Sequence, residues 1–205
     1  MRATAGENRS ARRTRALIEQ AFLKLLEQKP IRKVTVQELI DRADICRTTF
    51  YTHYQDIQDL VDSIEQALLQ EVRVALEELD QAPIRVNGEY PAIQVVVELY
   101  DRYGDLFLLL NGENGDPGFD ERFQNTIYEV TRELRMVKEG AAFDEMRHKL
   151  YSCYVISGGI NVLNRLMSEH LPLDIQQASS ILGAMAAAGE RVFLGMSDAG
   201  SEPGS

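Results

Sequence analysis

The stretch TVQELIDRADICRTTFYTHY, residues 35–54, contains two short helical patterns separated by a tight turn. Thr35 and Glu38 have the spacing of a capping box, in which each side chain accepts a hydrogen bond from the backbone N–H of the other residue. The capping box predicts a first helix over residues 36–42, and a second helix follows over residues 47–53. Two short helices joined in this way predict a helix-turn-helix.

The second of these helices has one apolar and one polar face. Phe50 and Tyr54 supply the apolar face, and Ala43 is small enough to let the two helices cross closely. Arginine binds phosphate or guanine, and threonine offers a hydroxyl and a methyl group to base edges. A merely solvated face would carry more Glu and Lys. We therefore interpret the outer face as a DNA-reading surface, made of Arg47, Thr48, Thr49, Tyr51, Thr52 and His53.

The charge of the chain is unevenly divided, although its net value is −10. Residues 1–55 hold 11 Lys and Arg against 6 Asp and Glu, a balance of +5, whereas residues 56–205 hold 11 against 26, a balance of −15. A basic end on an acidic body suits a protein that touches DNA phosphates with one end only. A short basic segment is also compatible with an ordinary solvated surface, so charge alone does not decide between the two.

Residues 12–60 resemble the DNA-binding domain of the TetR family, whose signature reads roughly T-x-x-x-I-A-x-x-A-G-V-S-x-x-x-x-Y-x-H-F. The resemblance implies a cytoplasmic homodimer that binds a palindromic double-stranded operator and is released from it by a small-molecule effector. It also implies that residues 46–53 form the recognition helix and that Thr35, Tyr51 and His53 touch phosphates. The expected DNA-binding residues are Thr35, Gln37, Arg47, Thr48, Thr49, Tyr51, Thr52 and His53.

The chain departs from that signature at three positions. Asp44 stands where the turn usually has Gly, Cys46 replaces the Ser that caps the recognition helix, and Ile57 replaces a Lys that meets phosphate. The pair Arg32 and Lys33 could compensate for the last change. A second source of positive charge is Arg9, Arg12 and Arg13. These residues are interpreted equally well as an arm that reaches the DNA or as a solubilising tail.

Apolar spacing along the chain predicts an all-α protein of about nine helices, with an N-terminal three-helix DNA-binding domain and a helical ligand-binding and dimerisation domain. Beyond residue 55 we expect helices over 56–79, 91–103, 106–110, 117–137, 143–169 and 174–194, the last beginning with a capping box of Asp174 and Gln177. The predicted organisation is a flexible arm (1–10), a helix-turn-helix domain (11–56), a connecting helix (57–82), a C-terminal domain (83–196) and a disordered tail (197–205).

The C-terminal domain is rich in aromatic residues. Most of them belong to an ordinary core, but several buried tyrosines need hydrogen-bond partners, and a ligand cavity is one way to provide them. The expected effector pocket comprises Tyr100, Tyr103, Phe107, Tyr128, Tyr151 and Tyr154. Small residues on the last two helices allow close approach of a symmetry mate. The tentative dimer interface, which could instead pack within one protomer, comprises Gly158, Gly159, Leu163, Ile181, Gly183, Ala184, Ala187 and Val192.

No catalytic, cofactor or metal motif stands out, and no apolar run is long enough to cross a membrane. Cys46 and Cys153 lie far apart, we expect Cys153 in the core, and we interpret His148 and His170 as surface or partly buried polar residues. The sequence lacks the catalytic constellation that a small helical enzyme would need. The main alternative to a repressor is a TetR-like coactivator or adaptor that binds a protein partner instead of DNA. Acidic residues would have accumulated on the outer face of a reading helix that no longer reads DNA.

Overall fold

The computed structural model describes residues 9–79, 90–169 and 174–193, without the side chain of Phe193. Within these ranges the regular structure is entirely helical, which confirms the all-α prediction. Short 3₁₀ turns occur at Ile31–Lys33 and Gly140–Ala142. No helix in the described ranges is long and apolar enough to span a bilayer. The helices are α1 (Arg9–Leu26), α2 (Val36–Ala43), α3 (Arg47–His53), α4 (Ile57–Glu77), α5 (Pro91–Asn111), α6 (Phe119–Glu139), α7 (Glu145–Ser168) and α8 (Ile175–Phe193).

Helix α5 explains why the described residues form eight α-helices rather than about nine. The two helices expected over 91–103 and 106–110 form one helical stretch, interrupted at Tyr103, whose φ of −126° and ψ of 15° are not helical. Gly104 follows the break, and a Cβ there would lie 2.4 Å from Met167 Cε. Glycine at this position therefore leaves room for the end of the Met167 side chain of α7.

The predicted helix ends are correct where a side chain caps them. Asp174 and Gln177 form the expected capping box at α8, with backbone-to-side-chain distances of 2.7 and 3.0 Å. The helix expected from residue 117 begins two residues later, because α6 begins at Phe119. The Asp116 carboxylate instead accepts a hydrogen bond from Gly118 N–H (3.0 Å) in the turn before the helix. Pro117, which lies in that turn, is therefore not the first residue of α6.

Contacts divide the chain into two compact units. Unit 1 comprises residues up to Glu71 together with Asp105–Phe123, and unit 2 comprises Val72–Gly104 and the residues from Gln124 onwards. Helices α4, α5 and α6 each contribute residues to both units. The sequence grouped residues 105–123 with the C-terminal domain, whereas their contacts group them with the helix-turn-helix.

In unit 1, the loop between α5 and α6 is tied to the end of α1. Ile31 N–H donates to the Asn114 carbonyl (2.9 Å), and the Asn114 side-chain amide donates to the Leu26 carbonyl (3.1 Å). Arg122 binds the buried carboxylate of Glu65 on α4 and the carboxylate of Asp116 in the loop. The loop is thus fastened to two helices of the unit that carries the helix-turn-helix.

Unit 2 contains a buried ionic cluster among its helices. Glu190 on α8, 1% exposed, accepts hydrogen bonds from Arg135 on α6 and from the hydroxyl of Tyr90. Arg135 also binds Glu139 (2.7 Å), and its guanidinium lies 5.5 Å from the ring centre of Tyr151. A buried charge must be paired to be tolerated, and this cluster satisfies that condition.

Several sequence-based expectations concern residues that lie outside the described ranges. These are residues 1–8 of the arm, the loop over 83–88, His170 and the tail 197–205. The end of the arm is described, and it is helical: α1 begins at Arg9. We interpreted three basic residues as an arm or tail: Arg9, Arg12 and Arg13. This interpretation is wrong, because all three lie on α1.

Candidate nucleic-acid interface

The capping box that the sequence predicts fixes the N-terminus of α2. Thr35 Oγ1 accepts a hydrogen bond from Glu38 N–H (3.3 Å), and the Glu38 carboxylate accepts one from Thr35 N–H (3.1 Å). Lys29 pairs with the same carboxylate. Hydrogen bonds from Lys29 and Thr35 hold the pKa of Glu38 at about 2. The start of α2 is thereby fixed while Thr35 itself stays exposed.

The turn between α2 and α3 is made by Asp44. Its φ of 52° and ψ of 52° place it in the left-handed region, and its N–H donates to the Ile40 carbonyl. Asp adopts this conformation more readily than most residues, although less readily than Gly. Asp44 therefore closes the turn at the position where the TetR signature has glycine.

The inner face of α3 anchors the helix in unit 1. Phe50 is fully buried and Tyr54 is 4% exposed, as the sequence predicts. The Tyr54 hydroxyl donates to Glu19 Oε1 on α1 (3.1 Å). Burial, together with the charge of Glu19, raises the pKa of Tyr54 well above its usual value. The hydroxyl thus remains protonated and fixes the end of α3 against α1.

The outer face of α3 is accessible and contains no carboxylate. Of the predicted DNA-binding residues on α2, Thr35 and Gln37 are exposed, and the Gln37 amide donates to Asp41 Oδ1 (2.8 Å). Of those on α3, two are half-buried, Thr49 and His53. The other four are exposed to solvent: Arg47, Thr48, Tyr51 and Thr52.

Hydrogen bonds within α3 hold these exposed side chains in place. The Arg47 guanidinium donates to the Tyr51 hydroxyl (3.3 Å) and lies 5.6 Å from the centre of its ring. The Thr52 hydroxyl donates to the Thr48 carbonyl (2.9 Å), which leaves the Thr52 methyl group fixed in orientation. An arginine supported by an aromatic ring is well placed to grip a phosphate or a guanine edge.

The cap of α3 differs from the serine cap of the TetR signature. The Cys46 side chain makes no capping hydrogen bond to the backbone of α3. Its sulfur lies 2.9 Å from Thr49 Oγ1, and this hydrogen bond lowers the pKa of the exposed thiol. Because this cap is weak, Phe50 and the turn at Asp44 hold the first turn of α3 in place.

The six aromatic residues predicted to form an effector pocket do not come together. Phe107 lies in unit 1, where its ring packs 4.7 Å from that of Phe123. Tyr100 is fully buried and donates to Asn164 Oδ1 (3.0 Å), and Tyr103 lies at the break in α5. The ring of Tyr128 stacks on His148. Only two of the six line the cavity of unit 2, Tyr151 and Tyr154.

That cavity has a volume of about 290 Å³ and lies among the helices of unit 2. Its wall is mostly aliphatic. The apolar lining comes from α5 (Ile93, Val96, Val97), α6 (Ile127, Leu134), α7 (Val155, Ile156, Ile160, Val162, Leu163) and α8 (Leu182, Met185, Ala186). Its polar lining residues include Tyr90, Thr131, Arg135, Lys138, His148 and Ser152.

His148 is the polar residue of the cavity wall that the sequence interpretation placed wrongly. It is 2% exposed rather than at the surface, and its Nε2 lies 3.2 Å from Ser152 Oγ. Its ring packs against those of Tyr128 and Phe143, at 5.7 and 5.4 Å. Burial, followed by the charges of two nearby arginines, lowers the pKa of His148 to about 4.

The surface of α7 and α8 carries apolar side chains that the unit does not cover. Of the predicted interface residues, Leu163 and Gly183 are buried, whereas Gly159 and Ala187 are half-buried. Gly158, Ile181, Ala184 and Val192 are exposed, Val192 to 79%. Further exposed apolar residues on the same two helices are Met146, Leu150, Val162 and Met185.

Comparison with known proteins places these features in a family. Residues 18–64 match the family described as bacterial regulatory proteins, tetR family. The DNA-binding segment of this chain is thus of the TetR type. A relative in Haemophilus influenzae, named an uncharacterized HTH-type transcriptional regulator, is 27% identical over 154 residues, which cover 71% of either chain.

Solved structures show the same fold as this chain. A TetR transcriptional regulator from Streptococcus agalactiae is 21% identical, with a TM-score of 0.58 over 87% of this chain and 96% of its own. The dihydroxyacetone kinase operon activator DhaS is 14% identical, with a TM-score of 0.52 over 89% of this chain and 94% of its own. At these identities the likeness concerns the fold alone.

These matches support a DNA-binding transcriptional regulator. A segment of the TetR type implies DNA binding and dimer formation, and it points away from an enzyme. The residues that the sequence did not reveal lie in unit 2. His148 and Ser152 are four residues apart and share a helix face, a spacing that was available as a signal. Cys153, which we expected in the core, is exposed.

Proposed function

We propose that this regulator is a homodimeric repressor that reads a palindromic operator with α3. The observation that carries the proposal is the outer face of α3, where Arg47, Thr48, Tyr51 and Thr52 are exposed and no carboxylate interrupts them. Arginine binds guanine or phosphate, and threonine methyl groups suit thymine. Buried Phe50 keeps this polar face turned to the solvent. A major-groove reading helix requires both properties.

Phosphate contacts would set the position of this helix on the duplex. The Tyr51 hydroxyl suits a hydrogen bond to phosphate. The Thr35 hydroxyl at the start of α2 would do so after releasing the Glu38 carboxylate, to which it donates (2.8 Å). Arg32 and Lys33 are exposed in the same unit and add positive charge. These residues would bind any sequence, whereas Arg47 and the threonines of α3 would select one.

A second copy of the chain is the proposed partner of the α7–α8 surface. Two reading heads are needed for an operator with two half-sites, and a twofold dimer supplies them. Large exposed apolar side chains on two neighbouring helices are costly unless another surface covers them. Four such residues on α8 and α7 are Ile181, Met185, Val192 and Leu150.

The cavity of unit 2 is the proposed effector site. A ligand changes operator affinity only if it binds the DNA-free state better than the DNA-bound state. Helix α4 contributes residues to both units, so a change in its packing on one side would affect the other. We expect the effector to stabilise the DNA-free state and to release the operator.

Two alternative functions are activation of transcription and service as an adaptor that binds a protein partner. One structural neighbour is named an operon activator, which keeps the sign of regulation open. An adaptor would not need a reading surface on α3. The absence of Asp and Glu from residues 47–53 therefore favours DNA binding over the adaptor role.

Gel shifts followed by transcription in vitro test the proposal. Full-length protein is mixed with restriction fragments of the source chromosome, and a retained fragment becomes the template. We expect one fragment to be retained in the presence of excess competitor DNA and its transcript to decrease. An increased transcript would make the protein an activator. Failure to retain any fragment at any salt concentration would favour the adaptor.

A further inference from the structure

Most polar side-chain atoms of the described cavity wall already have partners in the protein. The Tyr151 hydroxyl donates to the Ala186 carbonyl (3.3 Å), and the Thr131 hydroxyl donates to the Ile127 carbonyl of its own helix (2.8 Å). Ser152 pairs with Nε2 of His148. These polar groups are thus used in hydrogen bonds within the protein. A ligand therefore meets a surface that offers few unused polar atoms.

The charged groups of the wall are also balanced. Arg135 is 5% exposed, and its positive charge is offset by the carboxylates of Glu190 and Glu139. His148 retains an unpartnered buried Nδ1, but its pKa of about 4 keeps the ring neutral at pH 7. An ionised ligand would lose its hydration inside this wall and find no unpaired opposite charge among its buried, described residues.

Lys138 is the charged lining residue that remains exposed. Its ammonium group donates to the Leu79 carbonyl (3.3 Å) and stays in contact with water. Water screens such a charge, so its attraction for an anion inside the cavity is weak. An anionic amphiphile with its head group beside Lys138 is the competing occupant, and the experiment has to separate the two.

From the balanced wall charges, the hydrogen bonds within the protein and the aliphatic lining, we infer that the cavity of unit 2 takes an uncharged, predominantly apolar small molecule. The inference rests on the effector site proposed above and specifies the chemical class of the effector. A cavity of about 290 Å³ is at the lower end of the range of roughly 300–1,000 Å³ that small-molecule sites occupy. The occupant is accordingly a compact molecule.

Two fluorescent probes with the same aromatic frame test the class directly. N-phenyl-1-naphthylamine is uncharged, and 1-anilinonaphthalene-8-sulfonate adds one sulfonate to that frame. Both are titrated into the full-length protein at pH 7. We expect the uncharged probe to bind at least about tenfold more tightly. Equal affinities, or a preference for the sulfonate, would overturn the inference. A sulfonate preference that disappears in Lys138→Ala would identify the anionic amphiphile instead.

A cavity-filling variant shows that the probe sits in the cavity and not on the exposed apolar surface. Gly159 lines the cavity, and a Cβ built there meets no heavy atom within 4 Å, so Gly159→Phe places its ring in open space. We expect it to weaken binding of the uncharged probe at least about tenfold. Asn161→Phe is the matched control, because Asn161 is exposed on the same helix and does not line the cavity. Equal affinities in the two variants would contradict the assignment.

Two further measurements keep the outcomes distinct. If Gly159→Phe lacks a cooperative thermal transition, Val155→Phe, on the same helix and in the same wall, replaces it. Binding of neither probe to the wild-type protein would overturn the inference and the proposed effector site together. The gel shifts with chromosomal fragments would still test the DNA-binding part of the proposed function. A retained fragment with no probe binding would thus separate the two failures.

Discussion

Arg47 and Tyr51 are the exposed pair on which sequence selection by α3 depends most. The Arg47 guanidinium lies beside the Tyr51 ring and donates to its hydroxyl. Each side chain therefore has a partner that DNA can replace. The two residues have different tasks in the proposed complex, because arginine can select a guanine edge whereas a tyrosine hydroxyl on phosphate reads no sequence.

Substitutions on α3 should separate these two tasks. Arg47→Ala is expected to weaken operator binding by about 1–3 kcal/mol and to leave binding to unrelated DNA nearly unchanged. Tyr51→Phe should weaken binding to both kinds of DNA by similar factors. Gel shifts with the operator and a shuffled duplex measure both effects. Arg147→Ala, which removes an exposed arginine from α7 in unit 2, is the matched control. Equal losses in Arg47→Ala and Arg147→Ala would contradict the assignment.

Buried His148 should make stability depend on pH. Its pKa is about 4 in the folded protein and 6.5 in an exposed state, so between these values the unfolded chain binds more protons. The free energy of unfolding should therefore fall as the pH decreases from 6.5 to 4, by up to about 3 kcal/mol. Urea titrations at pH 7 and 4.5 measure the change. His148→Phe keeps a ring between Tyr128 and Phe143, and we expect a smaller decrease. An equal decrease would exclude His148 as the cause.

The helices that the sequence predicts best are those whose ends are set locally. A capping box, a left-handed turn residue and two buried aromatic residues lie within twenty consecutive positions, so α2 and α3 were readable with nearly correct bounds. The sequence could not show that the break at Tyr103 lies within one helix. The adjoining Gly104 leaves room for the side chain of Met167, which is far along the chain. The same limit applies to residues 105–123, whose membership of unit 1 depends on long-range contacts.

The loop between α5 and α6 should contribute to the stability of unit 1. Asn114→Ala removes the hydrogen bond to the Leu26 carbonyl, and we expect a loss of about 0.5–1.5 kcal/mol. Gly115→Ala should cost more, since a Cβ there would lie 1.9 Å from the Leu110 carbonyl oxygen. Urea unfolding of the full chain measures both. Glu113→Ala changes an exposed neighbour and is the control. If all three variants unfold alike, the loop does not hold the end of α1.

The candidate cavity was predictable only as a consequence of family resemblance, and its walls were not. Aromatic residues were the available signal, but Tyr100 and Phe107 fill the core of separate units. The cavity is instead lined mainly by aliphatic residues at ordinary helical spacing, which looks the same in a sequence whether it packs or leaves space. His148 was misjudged for a related reason, because its four-residue spacing from Ser152 looks the same in the sequence whether the pair is exposed or buried.

Across the whole molecule, dimerisation is expected to depend on the exposed apolar residues of α8. Val192 and Ile181 are 79% and 48% exposed, so replacing either by Glu should leave the protomer folded. Light scattering should then show monomers, and operator affinity should fall because two half-sites no longer bind together. Gln176→Glu adds the same charge at an exposed polar position of α8 and is the control. Dimers of unchanged stability would place the interface elsewhere.

Selection from a randomised double-stranded DNA library tests most directly whether this chain is a dimeric reader of DNA sequence. Full-length protein is passed through repeated rounds of binding at physiological salt, and the retained duplexes are sequenced. The account predicts two inverted copies of one half-site, bound about 10³-fold or more tightly than shuffled DNA. It also predicts that Arg47→Ala alters the preferred base at one position of each half-site. A library that remains random after selection would contradict it.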